Sequence, residues 1–528
     1  MKKYILLICM LSLLTVSCKE DFFELERPPQ SPWTSVTEFD RAARGAYRQL
    51  FATDDWGNVF NYWFLFKNAV GDDVSWSTPG DAAWGWYRDT ENNKDWTDAT
   101  FTVSYRVIAS INDALEFVEN KDGNPYPGIS SDDKTHNLDR IMGELYFLRG
   151  YAYYMNATLF VDAYVPGGAN NAKQIPLRTT ASNSYDIAVK SQIGTVQEIW
   201  QQILADFQKA HDLLPERYIA GKMHPSYEAG RANKFAAKAM LSRTYFAMGD
   251  YTKSKQYANE VIEQNGGDYN LSEDPIEAFN KSTLARGKET IMYIPSYDKV
   301  LGKQNLHATT FTNLFNGAPC DWTATYMDPT VLQRLKWMTN PKTDTTINLA
   351  ARKDKRFTQL LFVREPGNIP TAKQVPGRYY DKRVNMAWRS IVNNKYFRGP
   401  GGNFTNVPQI RLAEMYLNRS ICSFLAGDKE SAAKDLNIVR KRAWNATVAG
   451  MTYEASTHFI TASAITEQII GDERLVEMFG EGDRIDYLRG MKREVPNGDR
   501  GPGSVPYTDK GFVWNVPINE KLLNEGYE

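Results

Sequence analysis

Four tryptophans fall within one short, polar stretch of the sequence. Trp76, Trp84, Trp86 and Trp96 lie within 21 residues, where an even spread of the 13 tryptophans over the 528 residues would place about half of one. The surrounding residues are turn formers without a helical or strand period, so the rings are expected on loops. An indole stacked on the apolar face of a sugar ring buries on the order of 100 Å² of apolar surface, worth roughly 2 kcal/mol before ordering costs. The spacing therefore predicts a surface that holds sugar rings, with Arg88 as a polar partner for their hydroxyl groups.

A second group of aromatic residues lies much further along the chain, in a segment rich in Gly, Pro and Asn. Its members are Tyr293, Tyr297, Trp322 and Tyr326. Loop aromatics in a large protein often pack at the edge of a core, and some could face a partner protein, so packing is the competing interpretation for any single ring. The positions of Trp84, Trp86 and Trp322 in the sequence leave both interpretations open.

A dense run of charges near the C-terminus is the alternative candidate for chemistry. Glu473, Arg474, Glu477, Asp483 and Arg484 could be taken for a catalytic carboxylate cluster. A structural role is expected instead, because buried charges persist only when they are paired. A glycosidase with two carboxylates stays open as an alternative, although the sequence has no nucleophile elbow, P-loop, dinucleotide fingerprint or metal motif. No catalytic residue and no cofactor is predicted.

Metal and nucleic-acid ligands are not favoured. The five histidines are scattered, and none stands in an HExxH or CxxC setting. Asp72 and Asp73 alone are weak evidence for calcium, which takes six or more oxygens. Cys320 and Cys422 could pair in an oxidising compartment or remain buried thiols. With 62 basic against 63 acidic residues, the chain lacks the basic excess that is typical of nucleic-acid binders.

The N-terminus has the pattern of a bacterial lipoprotein. Two lysines precede an apolar run at 4–16, which is shorter than the roughly 20 residues that span a bilayer, so residues 1–17 are predicted to be a cleaved signal peptide. Residues 15–18 resemble a lipobox, with Cys18 as the acylated first residue of the mature chain. Several acyl chains on one residue anchor a protein stably. The proline-marked residues 18–35 are then the tether to the membrane.

Long stretches on either side of the Trp-rich loop at 71–100 have the period of amphipathic helices. Apolar residues recur at steps of three and four in two clear stripes. These are Ile141, Leu145, Leu148, Ala152, Met155 and Leu159 in the first stripe, and Val196, Ile199, Ile203, Phe207, Ala210 and Leu214 in the second. A capping box of Thr195 and Glu198 opens the second helix. Residues 36–264 are therefore predicted to form a helical scaffold.

Two helix pairs joined by a Gly-Asp turn indicate the fold class. The turns lie at 249–250 and 427–428, and a small residue follows each glycine by five positions. Closely packed antiparallel helices need small residues where they cross, as in the tetratricopeptide repeat. Because the two turns are 178 residues apart, something must interrupt the scaffold. The prediction is a mainly α, tetratricopeptide-like helix-pair scaffold in which 265–407 is a large irregular insertion with a few short strands and 408–528 forms the C-terminal helices and tail.

Several short motifs run from one end of the chain to the other, at 18–26, 105–112, 144–154, 411–419, 436–443, 472–489 and 516–520. In their order these motifs resemble one family, the SusD/RagB-like outer-membrane lipoproteins of Bacteroidetes. The strongest is DERLVEMFGEGDR, which begins at Asp472 and is followed by DYLR from Asp486. The tail at 516–520 resembles the closing Pro-Ile-Pro segment, with Asn519 in place of the second proline.

The resemblance implies a function as well as a fold. Members of this family bind nutrients at the cell surface and associate with a SusC-like TonB-dependent transporter, so the chain is expected at the outer membrane, held by its lipid anchor and facing the exterior. The expected ligand is an oligosaccharide or polysaccharide, bound without catalysis by aromatic residues of the two regions above. The candidate binding residues are Trp84, Trp86, Trp322, Tyr297, Trp76, Tyr326, Arg88 and Trp96. A peptide cargo, a surface glycosidase and a purely structural envelope role are the alternatives.

Overall fold

The protein is mostly helical, as the sequence predicts. The computed structural model describes residues 33–51, 59–76, 94–182, 189–228, 230–279, 286–295, 325–341, 346–366, 378–381, 390–393, 395–396 and 406–527. Within these ranges the secondary structure is dominated by α-helices, and the strands are short. None of the helices in this described part is both long enough and apolar enough to cross a membrane.

The helices form an N-terminal group, a set within the predicted insertion and a C-terminal group. The first group is α1 (Val36–Phe51), α2 (Val59–Val70), α3 (Lys94–Glu119), α4 (Ser131–Asp133), α5 (Arg140–Phe160), α6 (Val196–Leu213), α7 (Lys234–Met248) and α8 (Tyr251–Glu263). The insertion contains α9 (Pro329–Arg334), α10 (Leu349–Arg352) and α11 (Lys355–Leu360). The last group is α12 (Leu412–Leu425), α13 (Lys429–Ala443), α14 (Ala446–Ala449), α15 (Glu467–Met478), α16 (Asp483–Gly490) and α17 (Ile518–Leu523).

The longer helices pack as a continuous array. Helices α5, α6, α7 and α8 contact one another in sequence order, and α12 and α13 extend the array because α12 packs on α8. The predicted insertion therefore separates α8 from α12 along the chain but not in space. This arrangement confirms the expectation of an interrupted helix-pair scaffold.

The two Gly-Asp turns have the same geometry. Gly249 and Gly427 both have a φ of 83°, in the left-handed region that favours glycine. The aspartate after each glycine caps the next helix by accepting a backbone N–H hydrogen bond at 3.0 Å. Ser254 and Ala432 are fully buried on the second helix of each pair, as the spacing of small residues predicts. The two helix pairs are thus copies of one structural unit.

Helix α5 forms the centre of the core. The predicted apolar stripe is buried, but the other faces are buried too, including the fully enclosed Tyr151, Tyr153 and Tyr154. The reason is that α1, α3 and α6 all pack around this helix. A single stripe was therefore too narrow a description, since a helix that is covered on several sides needs no polar face.

Short strands occur throughout the chain. They are β1 (Val74–Trp76), β2 (Lys173–Pro176), β3 (Ile193–Thr195), β4 (Thr290–Ile294), β5 (Thr325–Met327), β6 (Leu361–Pro366), β7 (Arg378–Asp381), β8 (Ser390–Asn393), β9 (Val407–Arg411), β10 (Val495–Pro496) and β11 (Ser504–Val505). Antiparallel pairing of β4 with β9 joins the two ends of the predicted insertion, while β6 pairs with β7 in parallel and with β8 antiparallel. The remaining pairs are β1–β5, β2–β3 and β10–β11. The few short strands of the insertion are confirmed, and its exact boundaries stay predictions.

The charged run near the C-terminus forms buried ion pairs, as expected. Glu477 is 1% exposed and accepts hydrogen bonds from Arg356 at 3.1 Å, Arg411 at 3.0 Å and Arg442 at 2.5 Å. Although burial raises it, the positive charges of Arg442, Arg411 and Arg356 hold the pKa of Glu477 well below its usual range. These arginines come from α11, the end of β9 and α13, so one carboxylate joins the insertion to the C-terminal helices.

Candidate functional site

A two-stranded sheet joins the two aromatic-rich parts of the sequence. Strands β1 and β5 pair antiparallel, with Trp76 opposite Thr325. The chain leaves β1 into residues 77–93 and enters β5 from residues 296–324. Because the strands are antiparallel, the end of β1 lies beside the start of β5. The end of the sheet where Trp76 pairs with Thr325 is called the β1–β5 edge. The segment at 77–93 therefore begins, and the segment at 296–324 ends, at the β1–β5 edge.

The predicted binding residues divide into those outside and those inside the described ranges. Outside them lie Trp84, Trp86, Arg88, Tyr297 and Trp322. Trp76 is the last residue of β1, and Trp96 lies in the first turn of α3, so the prediction that these two stand on loops is wrong. The first turn of α3 is polar apart from Trp96, and for that reason the helical period does not become visible until later in the helix.

Tyr326 does not present the exposed ring that was expected. Only 5% of it is exposed, and burial raises the pKa of its phenol above the usual range. Tyr293, its neighbour in the predicted aromatic group, is 2% exposed in β4. Every residue of β4 is buried, and the continuous apolar run at 291–294 is the sequence signal of such a strand. Both tyrosines are packing residues.

Asp328, which directly follows β5, ties three elements together. Its carboxylate accepts hydrogen bonds from Ser75 Oγ at 2.5 Å and from the backbone N–H of Asp499 at 2.8 Å. Its own N–H donates to the carbonyl of Asp73 at 2.9 Å. The same carboxylate caps α9 by accepting the N–H of Thr330 at 2.8 Å. One buried side chain thus fixes β1, the start of α9 and a C-terminal loop.

Arg484 of α16 holds the start of β1. Its guanidinium donates to the Asp72 carboxylate at 2.5 and 3.0 Å, and Arg334 of α9 lies 3.7 Å from the same carboxylate. Although burial raises it, the charge of Arg484 keeps the pKa of Asp72 below its usual value. Arg500 adds a hydrogen bond of 2.6 Å to the carbonyl of Gly71. The C-terminal charged run therefore supports the β1–β5 edge, a link that no spacing in the sequence indicated.

Asp73 directly precedes β1, at the end of the two-stranded sheet opposite the β1–β5 edge, and its carboxyl group is poorly compensated. It is 3% exposed, and among the described residues its Oδ1 atom has no hydrogen-bond partner. Burial, followed by the negative charge of Asp72, raises the pKa of Asp73 to about 7, and the charges of Arg484 and Arg500 lower it only in part. The described ranges contain no group of three or more His, Cys, Asp or Glu side chains placed to hold a metal ion.

The sequence matches two family models, one after the other. Residues 57–246 match a SusD-like family described as starch-binding and associating with the outer membrane. Residues 240–495 match the SusD family, which is also named SusD/RagB. The two matches together cover the region from α2 to the start of β10. No curated protein matches the chain.

Solved structures share the fold along almost the whole chain. A SusD superfamily protein from Bacteroides thetaiotaomicron has a TM-score of 0.70 at 20% identity, covering 93% of this chain and 98% of that one. A SusD-like carbohydrate binding protein from Bacteroides vulgatus has 0.68 at 17% identity, covering 93% and 97%. Another from Bacteroides fragilis has 0.68 at 19% identity, covering 94% and 99%. Similarity at these identities establishes the fold alone.

Proposed function

Because the chain belongs to the SusD/RagB-like family, we propose that it is a lipid-anchored glycan-binding protein of the outer membrane that faces the cell exterior. It captures an oligosaccharide or polysaccharide on aromatic side chains of residues 77–93 and 296–324. It then passes this ligand to a SusC-like TonB-dependent transporter, without catalysis. Two relatives of the same fold are described as carbohydrate binding, which supports the ligand class. Cys18 is the proposed site of lipid attachment.

The observation that carries the proposal is the pairing of β1 with β5. Trp84 and Trp322 are 238 residues apart in sequence, yet the segments that contain them begin and end on paired strands. A glycan chain that spans several sugar units needs rings from more than one segment, since one stacking contact contributes only roughly 2 kcal/mol before ordering costs. The β1–β5 edge is the place where both segments can contribute to one binding surface.

The rigid base of this edge supports binding of a weakly held ligand. Asp328 and Arg484 fix the two strands through buried hydrogen bonds to Ser75 and Asp72. A preorganised surface loses less conformational entropy when ligand binds, so more of each stacking contact remains as affinity. The base therefore fixes the two strands at which these segments begin and end.

The buried carboxylates are poorly suited to hydrolysis. Glu477 is held ionised by three guanidinium groups, whereas a general acid must carry a proton at the working pH. Asp73 has the raised pKa of a general acid, about 7, but at 3% exposure it is out of reach of a polysaccharide. Neither group therefore combines the proton and the access that the general acid of a glycosidase needs.

Retardation in native gels that contain polysaccharide tests the ligand class. Wild-type protein should be slowed by at least one polymer of a panel from plant, host and microbial sources. Trp84→Ala and Trp322→Ala should each reduce the retardation, with a loss of roughly 1 to 3 kcal/mol at a true contact. Phe459→Ala is the matched control, because this ring is 40% exposed and belongs to neither segment.

Two other outcomes would replace the proposal with one of its alternatives. Unchanged migration across the whole panel would favour a peptide cargo. Release of product from any oligosaccharide, abolished by a single Asp or Glu substitution, would favour a glycosidase. Lipid attachment is tested separately by incorporation of labelled fatty acid, which Cys18→Ala should abolish. Transfer to the transporter is tested by co-purification of a TonB-dependent transporter from detergent-solubilised membranes.

A further inference from the structure

A cavity lies next to Trp444, which follows the end of α13. It has a volume of about 180 Å³ and lies between α13, α15 and the turn from α10 to α11. Its walls include the rings of Trp337, Trp444 and Tyr453, and its polar side chains include Lys353 and His458. An apolar cavity of about 150 Å³ is known to accept benzene, so this one has room for a single six-membered ring.

The wall of the cavity is fixed in place. Trp444 is 8% exposed, and its Nε1–H donates to the carbonyl of Met451 at 3.0 Å. The imidazole of His458 lies beside the indole, with ring centroids 4.9 Å apart and planes at 45°. The N–H of Asn445 donates to the carbonyl of Lys353 at 2.8 Å, which ties the α10–α11 turn to the end of α13. An entering ring would therefore meet a preformed surface.

The carboxylates of the cavity are already neutralised. Each of them contacts a guanidinium group: Asp354 contacts Arg356 at 2.8 Å, Glu473 contacts Arg356 at 2.6 Å and Arg440 at 3.2 Å, and Asp472 contacts Arg334 at 2.9 Å. Within the described ranges, by contrast, neither the ammonium group of Lys353 nor the imidazole of His458 makes a side-chain hydrogen bond or an ion pair. Neither basic group is therefore held by a hydrogen bond or ion pair to a side chain of the described residues, although the charges of Asp354 and Glu473 act on His458.

The pKa of the His458 imidazole is lowered in this cavity. Burial is the largest influence that lowers the pKa of His458, and the positive charges of Arg440 and Lys353 lower it further. The negative charges of Asp354 and Glu473 raise it, but they do not reverse the direction. At neutral pH the imidazole is therefore uncharged, and a carboxylate placed beside it would favour its protonation.

We propose that this cavity binds one six-membered ring that carries a carboxylate, as in a uronic acid unit of a glycan. The ring lies against Trp444, and the carboxylate faces Lys353 and His458. A volume of about 180 Å³ admits one such unit. The proposal does not rest on the glycan surface proposed above, because none of its residues lies in 77–93 or 296–324. Either proposal can fail while the other holds.

Nuclear magnetic resonance of the histidine side chains tests this site in the full mature chain. The protein is labelled at histidine Cε1, and the His458 signal is assigned by its loss in His458→Gln. D-glucuronate should shift this signal in a saturable way and raise the pKa of His458, because a nearby opposite charge favours the protonated form. D-glucose, which has a ring but no charge, should leave the signal in place.

Variants and a second acid separate the possible outcomes. Lys353→Gln should weaken glucuronate binding at least about fivefold, since it removes the unpaired positive charge. Lys253→Gln, which changes an exposed lysine of α8, should leave binding unchanged. Benzoate tests an aromatic acid as the source of the carboxylate, and tighter binding of benzoate than of glucuronate would overturn the sugar assignment. No saturable shift with either acid, or an equal shift with glucose, would overturn the site.

Discussion

Replacing Asp73 with asparagine should change how the stability of the protein depends on pH. Burial, followed by the charge of Asp72, raises the folded-state pKa of Asp73 to about 7, whereas an aspartate in an unfolded chain titrates near about 3.9. The difference of about 3 units amounts to about 4 kcal/mol at 1.36 kcal/mol per unit. Between these two pH values the folded state keeps the proton of Asp73, which the unfolded chain has lost. The contribution of protonated Asp73 to the free energy of unfolding is therefore complete below about pH 4 and is lost as the pH rises through about 7.

Urea unfolding of wild type and Asp73→Asn at pH 5, 6, 7 and 8 measures this effect. Because asparagine does not ionise, the free energy of unfolding of the variant relative to wild type should rise with pH. The rise should reach at most about 1.4 kcal/mol per pH unit and level off above about pH 8. Asp122→Asn is the matched control, because Asp122 is exposed and its φ of 51° is tolerated by asparagine. Its difference from wild type should stay within about 0.5 kcal/mol at every pH.

A flat difference between Asp73→Asn and wild type from pH 5 to pH 8 would refute this reasoning. It would mean that Asp73 is already ionised at pH 5, and hence that the charges of Arg484 and Arg500 outweigh its burial. A difference that falls with pH would refute it more strongly, because it would make the ionised Asp73 a stabilising group.

Substitutions at four further residues test other parts of the structure by urea unfolding. Arg484→Ala leaves Asp72 buried without its main partner and should lower the free energy of unfolding by about 3 to 5 kcal/mol; a loss below 1 kcal/mol would contradict the buried ion pair. Gly427→Ala should cost about 1 to 2 kcal/mol for its positive φ alone, since no atom lies within 4 Å of the added methyl group. Gly249→Ala should cost more, because the methyl group would lie 2.7 Å from a proline ring; equal losses at the two turns would be inconsistent with this contact. Thr195→Ala should cost about 1 kcal/mol by removing a helix cap, and Thr195→Ser should restore most of it.

The features that could be predicted from the sequence are those fixed by nearby residues. The capping box is one example: Thr195 Oγ1 accepts the N–H of Glu198 at 3.2 Å, and Glu198 accepts the N–H of Thr195 at 2.8 Å. The turn glycines at 249 and 427 are another, because a left-handed residue after a helix has a strong local preference for glycine. The residues that give such a signal lie within a few positions of each other, so the helices, the turns and the fold class could be predicted from the sequence.

The contacts that hold the candidate site could not be predicted from the sequence, because they join residues that are far apart in the chain. Asp72 and Arg484 are 412 positions apart, and Ser75 and Asp328 are 253 positions apart. No periodicity relates residues at such separations. The burial of Tyr326 could not be predicted for a related reason: an aromatic residue is equally suited to a core and to a ligand surface, and its burial depends on the strand that it joins. The cavity beside Trp444 was missed because its walls come from segments that are far apart in the sequence.

A double-mutant cycle on Trp84 and Trp322 tests the central claim most directly. The affinity of the best polysaccharide of the panel is measured by calorimetry for wild type, Trp84→Ala, Trp322→Ala and the double variant. If the β1–β5 edge brings both segments to one ligand, each single variant should lose about 1 to 3 kcal/mol, and the double variant should depart from additivity by about 0.5 kcal/mol or more. Full wild-type affinity in both single variants would contradict glycan capture at this edge.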